Sequence, residues 1–306
     1  MEKNFNLFEN QNSEENLKLL ASQRQLYSDA KLLTKLNFII SILFPAFIVC
    51  LNPIFEGNQE ILMILKIVSI LIIVLLIPLD NCIKTIKERA AIIQNKFDYD
   101  IYELDWKEDK QGDLVEIEEW VLASYNKFLK KGNVIDELKD WYPKEYFELP
   151  LQKRRFYCQK CNVYWDYNLK KEYNKLVRLI GSLVIILILI LAVLNYELTV
   201  IVFFNNILVP IFPVIIYLYK TNQNINNDIK ALDKIKILIA GTSEYISSKQ
   251  IDDNIILNKI LNIQDEIFEH RKNGILVIDF LYNKMKNFQE QEARNYAKKV
   301  TSKKDD

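Results

Sequence analysis

Four stretches of the chain are long, apolar and almost free of charge. Leu36 to Phe55, Leu179 to Tyr196 and Leu198 to Tyr219 carry no formal charge over 20, 18 and 22 residues. Ile61 to Leu79 is interrupted only by Lys66, near its outer end, where a lysine can extend its amine to the lipid headgroups. Because about 20 apolar residues in a helix cross the ~30 Å hydrocarbon core of a bilayer, the pattern predicts four transmembrane helices in two hairpins.

The charges that flank these stretches predict their orientation. The ends that lead away from the hairpin turns carry the basic residues Lys31, Lys35, Lys84, Lys87, Arg89, Lys170, Lys171, Lys175, Arg178 and Lys220. The turns, EGNQE at 56–60 and the single Glu197, carry only acidic charge. Since basic flanks stay on the cytoplasmic side, we expect a four-pass protein with the N- and C-termini and the 80–178 segment in the cytoplasm.

Outside these stretches, apolar residues recur at three- and four-residue steps. This pattern predicts helices over 13–34, 113–130, 255–271 and 279–298, and continuation of the second and fourth spans as cytosolic helices, with Gly241 a candidate break. Residues 141–167, with two prolines and nine aromatic residues, are expected to be irregular.

The predicted fold class is therefore an all-α polytopic membrane protein. Its four transmembrane helices form two hairpins, and its helical cytosolic domain is built from the N-terminus, the central segment and the C-terminus. The expected parts are an N-terminal helix (1–35), a first hairpin (36–79), a cytosolic helical region with the aromatic and basic segment (80–178), a second hairpin (179–219) and C-terminal helices (220–306).

Candidate chemistry is sparse. Cys158 and Cys161 form a C-x-x-C pair, but a zinc site needs four ligands and the chain offers only Cys82 and His270 besides. We favour two thiols in a packed element and expect no metal and no other cofactor. His270 is the only histidine, and the G-x-S-x-G, H-E-x-x-H and Walker A motifs are absent, so the sequence predicts a protein that is not an enzyme.

A basic and aromatic segment is the best candidate for ligand binding. Arginine and lysine bind phosphates, and aromatic rings stack on bases. The candidate ligand-binding residues are Arg154, Arg155, Tyr157, Lys160 and Trp165, joined by Arg24, Tyr27 and Lys31 from one face of the N-terminal helix. The alternative is that these cations form salt bridges with acidic residues on neighbouring helices.

The fourth span contains two adjacent asparagines at mid-depth, where amides need partners. Pro210 and Pro213 remove backbone donors, which predicts a kink between Asn206 and Pro213. Asn206, Pro210, Pro213 and Tyr217 share one helix face. Together with Asn205, they are candidates for lining or gating a pore, and hydrogen bonding between helices is the alternative.

Several blocks of sequence occur together in an order that resembles the SMODS-associated four-transmembrane effector family of bacteria. The blocks are ASQRQLYSDAK, AAIIQNKFDYDIYELDW, WYP followed by CQKCNVYWDYNLKKEY, and IQDEIFEHRKNGILVIDFLYNKMK. The matching residues are Gln23, Arg24, Tyr27, Ala30 and Lys31; Gln94, Phe97, Asp98 and Trp106; Cys158, Gln159, Asn162, Trp165 and Asp166; and Gln264, Arg271, Asp279 and Tyr282. Cys161 departs from the family pattern, which argues further against a metal site.

The resemblance implies a pore-forming effector of CBASS-type antiviral defence that disrupts the inner membrane in abortive infection. A cyclic oligonucleotide from a neighbouring nucleotidyltransferase would be the trigger, the lipid bilayer a partner, and a homo-oligomer the active form, since one four-helix bundle packs its own core shut. No DNA or RNA polymer is expected as a partner. The alternatives are a non-conducting membrane-anchored adaptor or signalling protein and an ion channel unrelated to defence.

Cysteine accessibility tests the predicted topology. Gly57→Cys and Glu197→Cys should react with a membrane-impermeant maleimide from the outer side only, because both lie in the acidic hairpin turns. A cysteine in the 80–178 segment is the matched control and should react from the cytoplasmic side. Labelling of position 57 or 197 from the cytoplasmic side alone would show that the topology is wrong.

Overall fold

The computed structural model describes residues 7–40, 47, 58–194, 199–204, 209–247 and 252–302. These residues form helices and turns, with no β-strand among them. The α-helices are α1 (Leu7–Asn10), α2 (Glu14–Phe38), α3 (Gln59–Tyr102), α4 (Glu108–Gln111), α5 (Leu114–Lys130), α6 (Leu151–Leu194), α7 (Val200–Phe203), α8 (Val209–Ser247), α9 (Asp253–Asn273) and α10 (Asp279–Ser302), and two 3₁₀ helices span Ile135–Leu138 and Lys144–Glu148. The all-α class is confirmed for this part of the chain.

Local sequence signals set where several helices begin and end. The Ser13 hydroxyl accepts a hydrogen bond from the Asn16 amide (3.3 Å), and the carboxylates of Asp113 and Asp252 accept from Val115 N (2.7 Å) and Asn254 N (2.8 Å). Such side chains satisfy the first unpaired amides of a helix. Helix α9 ends at Gly274, where a Cβ would lie 2.8 Å from the His270 carbonyl oxygen. Only glycine fits there without a shift of the backbone.

The structure confirms most of the helices that periodicity predicts, and it corrects two details. The helices predicted over 13–34, 113–130, 255–271 and 279–298 are all present, and α3 and α8 run on past the apolar stretches without a break. The expectation of irregular structure over 141–167 is wrong from Leu151 onward, because both prolines precede α6 and the segment that follows them has no helix breaker. The candidate break at Gly241 is also wrong, since α8 continues through it.

The chain divides into two compact units. Unit 1 comprises Met1–Asp29, Ile86–Lys170 and Asp228–Asp306, and unit 2 comprises Ala30–Thr85 and Lys171–Asn227. Helices α2, α3, α6 and α8 each contribute residues to both units. The chain therefore enters each unit more than once, and contacts far apart in sequence hold each unit together.

Unit 1 has an aromatic and aliphatic core. One buried cluster gathers around Phe97, Tyr102, Tyr142 and Tyr146, and the other around Phe156 and isoleucines of α8 and α9. The rings of Tyr146 and Tyr157 stack with their centroids 5.8 Å apart. The apolar stripe of α3 that the sequence predicts lies in this core, where Ala90, Ile93 and Phe97 are fully buried.

In unit 2, α6 exposes large apolar side chains on most of its surface. They are Leu179, Ile180, Leu183, Ile185, Ile186, Leu187, Leu189, Ile190 and Val193. At 100° per residue, these positions cover about 220° of the helix circumference. Elsewhere in unit 2, the Asn174 side-chain amide donates a hydrogen bond to Asn226 Oδ1 at 2.8 Å. The Phe38 and Tyr217 rings lie edge to face, with their centroids 4.9 Å apart.

Among the described residues, one helix is long and apolar enough to cross a membrane, namely α6 over Leu151–Ile190. Parts of the first and fourth predicted spans, the end of the third (195–196), residues 56–57 of the first turn and Glu197 of the second lie outside the described residues. The four-span topology stays a prediction.

Candidate functional site

One face of α3 carries polar groups into the core of unit 1. Asn95, Asp98 and Tyr102 lie at positions i, i+3 and i+7, which places them on one side of the helix, and all three are buried. Buried polar groups are stable only when they are hydrogen-bonded. The contacts of these three residues define a polar network that links five segments of the chain.

Asp98 is at the centre of the network. Its Oδ2 accepts from the Arg271 guanidinium of α9 at 2.6 Å and from the Gln264 amide at 3.1 Å, and its Oδ1 accepts from the Tyr142 hydroxyl at 2.7 Å. The Asp98 side chain is fully buried, and that of Arg271 is 11% exposed. Because a buried charge needs both a counter-charge and hydrogen bonds, this carboxylate fixes three partners at once.

Two tyrosines extend the network toward α6. The hydroxyls of Tyr102 and Tyr142 are 2.9 Å apart, and the Asn162 amide donates to both, at 3.3 and 2.8 Å. The backbone of Tyr142 is held in turn by the Gln11 side chain, which accepts from its amide at 2.9 Å and donates to its carbonyl at 3.2 Å. Burial raises the pKa of both phenols well above the ordinary value, and Asp98 adds to the shift, so both are neutral donors.

A row of amides joins α3, α6 and α9. Gln264 donates to Asn95 Oδ1 at 2.9 Å, and its own carbonyl oxygen accepts from the Gln159 amide at 3.0 Å. Gln159 also donates to the backbone carbonyl of Ile260 at 3.0 Å. Each side chain in this row is at most 1% exposed. These hydrogen bonds form together in one register of the three helices, so the row specifies their packing.

A second group of charges lies further along α6 than the network and beside Arg271 on α9. His270 Nε2 is 2.7 Å from Asp166 Oδ2, and the buried Lys170 amine is 2.9 Å from Asp228 Oδ2. Asp228 also accepts from the Ile275 amide at 2.7 Å, while Lys170 donates to the Ile275 carbonyl. These contacts fix the turn after α9 to α6 and α8.

The electrostatics of these groups favour their charged forms. Burial by itself raises the pKa of Asp166, but Lys170, His270 and Arg271 outweigh it and lower that pKa to about 2. Burial lowers the pKa of Arg271, whereas Asp98 and two tyrosines raise it, with a net increase above the ordinary value. Asp166 and Arg271 are therefore both ionised at neutral pH.

The structure places Arg154 and Arg155 of the predicted ligand site inside unit 1. Arg154 is 2% exposed and forms an ion pair with Glu103 at 2.6 Å. Arg155 donates to the backbone carbonyls of Tyr102 and Glu103, the latter at 2.5 Å. Both guanidinium groups thus attach the start of α6 to the end of α3, and the Arg154–Glu103 pair is the kind of contact that the alternative interpretation expected.

Lys160 and Tyr157 lie together at a partly exposed surface. The Lys160 amine donates to the Tyr296 hydroxyl at 2.7 Å and lies 5.8 Å from the centre of the Tyr164 ring. The rings of Tyr157 and Tyr296 have centroids 6.3 Å apart. We call Tyr157, Lys160, Tyr164 and Tyr296 the lysine–tyrosine patch. Trp165 is next to it in α6, and its carbonyl accepts from Gln289 at 2.8 Å.

The other predicted site residues are dispersed. Arg24 is exposed and lies 3.7 Å from Glu137, while the Tyr27 hydroxyl donates to Gln94 at 3.3 Å. Lys31 belongs to unit 2. Of the predicted pore face, Asn205 and Asn206 lie outside the described residues, Pro210 and Pro213 are in the first turns of α8, and Tyr217 contacts Phe38.

The C-x-x-C thiols are part of the core. Cys158 is fully buried and Cys161 packs against the same cluster. Burial raises the pKa of Cys158 well above its ordinary value and that of Cys161 to about 12. Both thiols are therefore protonated at neutral pH, which disfavours metal ligation. No group of three or more potential ligands for a metal ion occurs in the described part of the chain.

Comparison with known proteins identifies the family. The family model of the SMODS-associating 4TM effector domain matches residues 6–300. The chain belongs to this family. A protein of Bacillus cereus (strain VD146), named a probable CBASS effector molecule, is 23% identical over 285 residues, which cover 90% of this chain and 92% of that protein. No solved structure matches the chain.

Residues that carry the resemblance to this family gather in the polar network. Asp98, Gln159, Asn162, Gln264 and Arg271 come from three of the four matching blocks, and they contact one another directly or through Tyr142. None of them is among the site residues that the sequence predicts. The available signal was the spacing i, i+3 and i+7 of polar residues on otherwise apolar helix faces.

A double-mutant cycle tests the central ion pair. Asp98→Asn and Arg271→Gln should each destabilise the protein by about 3–5 kcal/mol, because each leaves a buried charge without its partner. The double variant should cost less than the sum of the two. The measurement is thermal or denaturant unfolding of the purified full chain in detergent.

The matched control for this cycle is Asp100→Asn. Asp100 pairs with Lys96 on the same helix, and both side chains are partly exposed, so its loss should cost at most about 1 kcal/mol. Additive effects of Asp98→Asn and Arg271→Gln would show that the two groups do not depend on each other.

Proposed function

We propose that this protein is a membrane-permeabilising effector of a bacterial antiphage system, with a role in abortive infection and a place in the inner membrane. The observation that carries the proposal is the apolar surface of α6 in unit 2, which is exposed over about 220° at residues 179–193. Water disfavours a continuous apolar surface of this size, whereas lipid solvates it. Family membership and the similarity to a probable CBASS effector support the defence role.

The proposed active form is a homo-oligomer. A single bundle of four spans packs its own core shut, so an aqueous path needs several copies, each contributing a polar face. In this proposal the faces come from the fourth spans, through Asn205, Asn206, Pro210, Pro213 and Tyr217. Lipid and further copies of the chain are then its structural partners.

The protein acts, in this proposal, without catalysis. Six polar groups of unit 1 are bonded to one another in pairs: Asp98 to Arg271, Asp166 to His270, and Lys170 to Asp228. Such a network supports a role in holding helices in register rather than in binding a reacting group. The signal would reach the spans through helices α3, α6 and α8, each of which has residues in both units.

Membrane potential reports permeabilisation. Expression of the protein together with a neighbouring cyclic-oligonucleotide synthetase should depolarise the cells, measured with a potential-sensitive dye. Ile186→Lys places a charge among the exposed apolar side chains of α6 and should abolish the response, because a lysine at the centre of a span costs about 2.5–3.5 kcal/mol of insertion energy. Phe280→Lys is the control, since Phe280 is 71% exposed in unit 1.

Two results would contradict this proposal, and one substitution would refine it. Growth arrest with unchanged potential would favour a membrane-anchored adaptor, and depolarisation without the synthetase would favour a channel unrelated to defence. Replacing Asn205 and Asn206 with leucine separates the two roles of the amides. Loss of the oligomer means that they join helices, and an intact oligomer with altered conductance means that they line the pore.

We further propose that a cyclic oligonucleotide is the trigger and that it contacts the lysine–tyrosine patch. Within the predicted ligand set, Lys160 and Tyr157 are partly exposed, whereas Arg154 and Arg155 are buried and bonded to the end of α3. The patch offers one amine to a phosphate and several rings to bases. The ligand would shift the protein between states only by binding them with different affinities.

Titration of the purified protein in detergent with cyclic di- and trinucleotides tests this contact. Lys160→Gln should weaken binding at least about tenfold, since a charge-assisted hydrogen bond contributes about 1.5–3 kcal/mol. Lys234→Gln is the matched control, because Lys234 is also in unit 1 and is 64% exposed beside Glu266. Arg154→Ala should instead lower the unfolding temperature.

Two outcomes of the titration count against the proposal. If none of the cyclic nucleotides binds, the proposal that the trigger belongs to this class of compound is wrong. Undiminished binding by Lys160→Gln, with unaltered thermal stability, would remove the lysine–tyrosine patch from the mechanism and leave the ligand class intact.

A further inference from the structure

Helix α5 has two apolar faces, and one of them faces solvent. Ile117 and Phe128 are buried in unit 1. Val115, Leu122 and Leu129 are 67%, 63% and 43% exposed. Successive members of this set are seven residues apart, so each lies about 20° from the next and the three form a line on the helix surface. Isolated exposed leucines are common, but seven-residue apolar spacing is typical of a helix that packs along another helix.

The exposed charges beside this line are acidic in the first half of α5 and basic at its end. Glu116 and Glu119 are exposed in the first half of α5, and Lys130 is exposed at its end. At 100° per residue, all three lie on the same flank, about 60–120° from Leu122. None of them forms an ion pair within the described part of the chain. Lys127, in contrast, pairs with Asp29 at 2.8 Å.

A second copy of α5 in the antiparallel direction complements both features. With a two-fold axis at Leu122, Val115 of one copy lies beside Leu129 of the other, and the two Leu122 side chains meet. The same symmetry puts Lys130 of one copy on the same side of the contact as Glu116 and Glu119 of the other, about 3 Å from Glu116 and about 7.5 Å from Glu119 along the helix axis. In a parallel pair, the two-fold axis runs along the helices and puts this flank on opposite sides of the contact in the two copies, so Lys130 of one copy does not meet Glu116 of the other.

We propose that α5 is an interface between two copies of this chain, packed antiparallel about Leu122. The proposal deepens the homo-oligomer of the proposed function, on which it rests, by naming a surface of unit 1 that joins copies. A 17-residue helix is about 25 Å long, so this pair buries less than the ~1,600 Å² of a standard interface. It is a dissociable contact, strengthened where the bilayer keeps the copies at high local concentration.

Disulfide trapping tests the axis directly. In the full chain in native membranes, with Cys50 and Cys82 replaced by serine, Leu122→Cys should form a disulfide-linked dimer on oxidation with copper phenanthroline. Two cysteines at a two-fold axis meet the short Cβ–Cβ distance that a disulfide needs. The double variant Val115→Cys, Leu129→Cys should also crosslink, whereas either single variant should not. Ile237→Cys, on an equally exposed residue of unit 1 (73%), is the matched control and should remain monomeric.

Charge reversal then tests the direction. Glu116→Lys with Glu119→Lys should abolish most of the Leu122→Cys crosslink, and addition of Lys130→Glu should restore it. Equal crosslinking at positions 122 and 237, or crosslinking of the single Val115→Cys variant to itself, would overturn the antiparallel interface. Crosslinking requires neither a nucleotide nor a potential measurement, so its failure is distinguishable from failure of the proposed function.

Discussion

The ion pair between Asp98 and Arg271 is the constraint on which unit 1 depends. A fully buried carboxylate is stable only if it is neutralised and hydrogen-bonded, and here the neutralising group comes from a helix 173 residues away in sequence. Tyr142 and Gln264 complete the coordination of Asp98. Helices α3 and α9 and the segment before α6 therefore have one relative position in which every group is satisfied. Apolar packing alone would tolerate small slips between these helices, and the network does not.

The helices of this protein were largely readable from its sequence because periodicity and capping agree along most of the chain. Ser13, Asp113 and Asp252 begin helices as cap residues do. The exception is the segment after Trp141, where the aromatic residues and two prolines predict irregular structure. The aromatic residues from Phe156 onward are part of helix α6, where the rings of Phe156 and Tyr157 lie edge to face. Composition is a weaker guide than the position of the prolines.

The candidate site was harder to predict than the fold. Basic residues draw attention as ligand-binding groups, yet the partners of Arg154 and Arg155 are Glu103 and two backbone carbonyls at the end of α3, which come together only in the folded chain. Conversely, Asp98 resembles any acidic residue of a solvated helix until its burial is known. A sequence gives the spacing of polar residues on one helix face. Their hydrogen-bond partners lie on other helices and are known only once the chain is folded.

The polar network limits how unit 1 could respond to a ligand in the proposed function. A ligand changes the balance between two states only by its difference in affinity for them, typically through a few kcal/mol. Breaking the Asp98–Arg271 ion pair costs as much free energy as such a ligand supplies, or more. Unit 1 would therefore respond as one body, without local unfolding around this pair. Lys160 donates to Tyr296, so the lysine–tyrosine patch spans α6 and α10. A ligand bound there would act on α6, which contains both Gln159 of the network and the exposed apolar residues of unit 2.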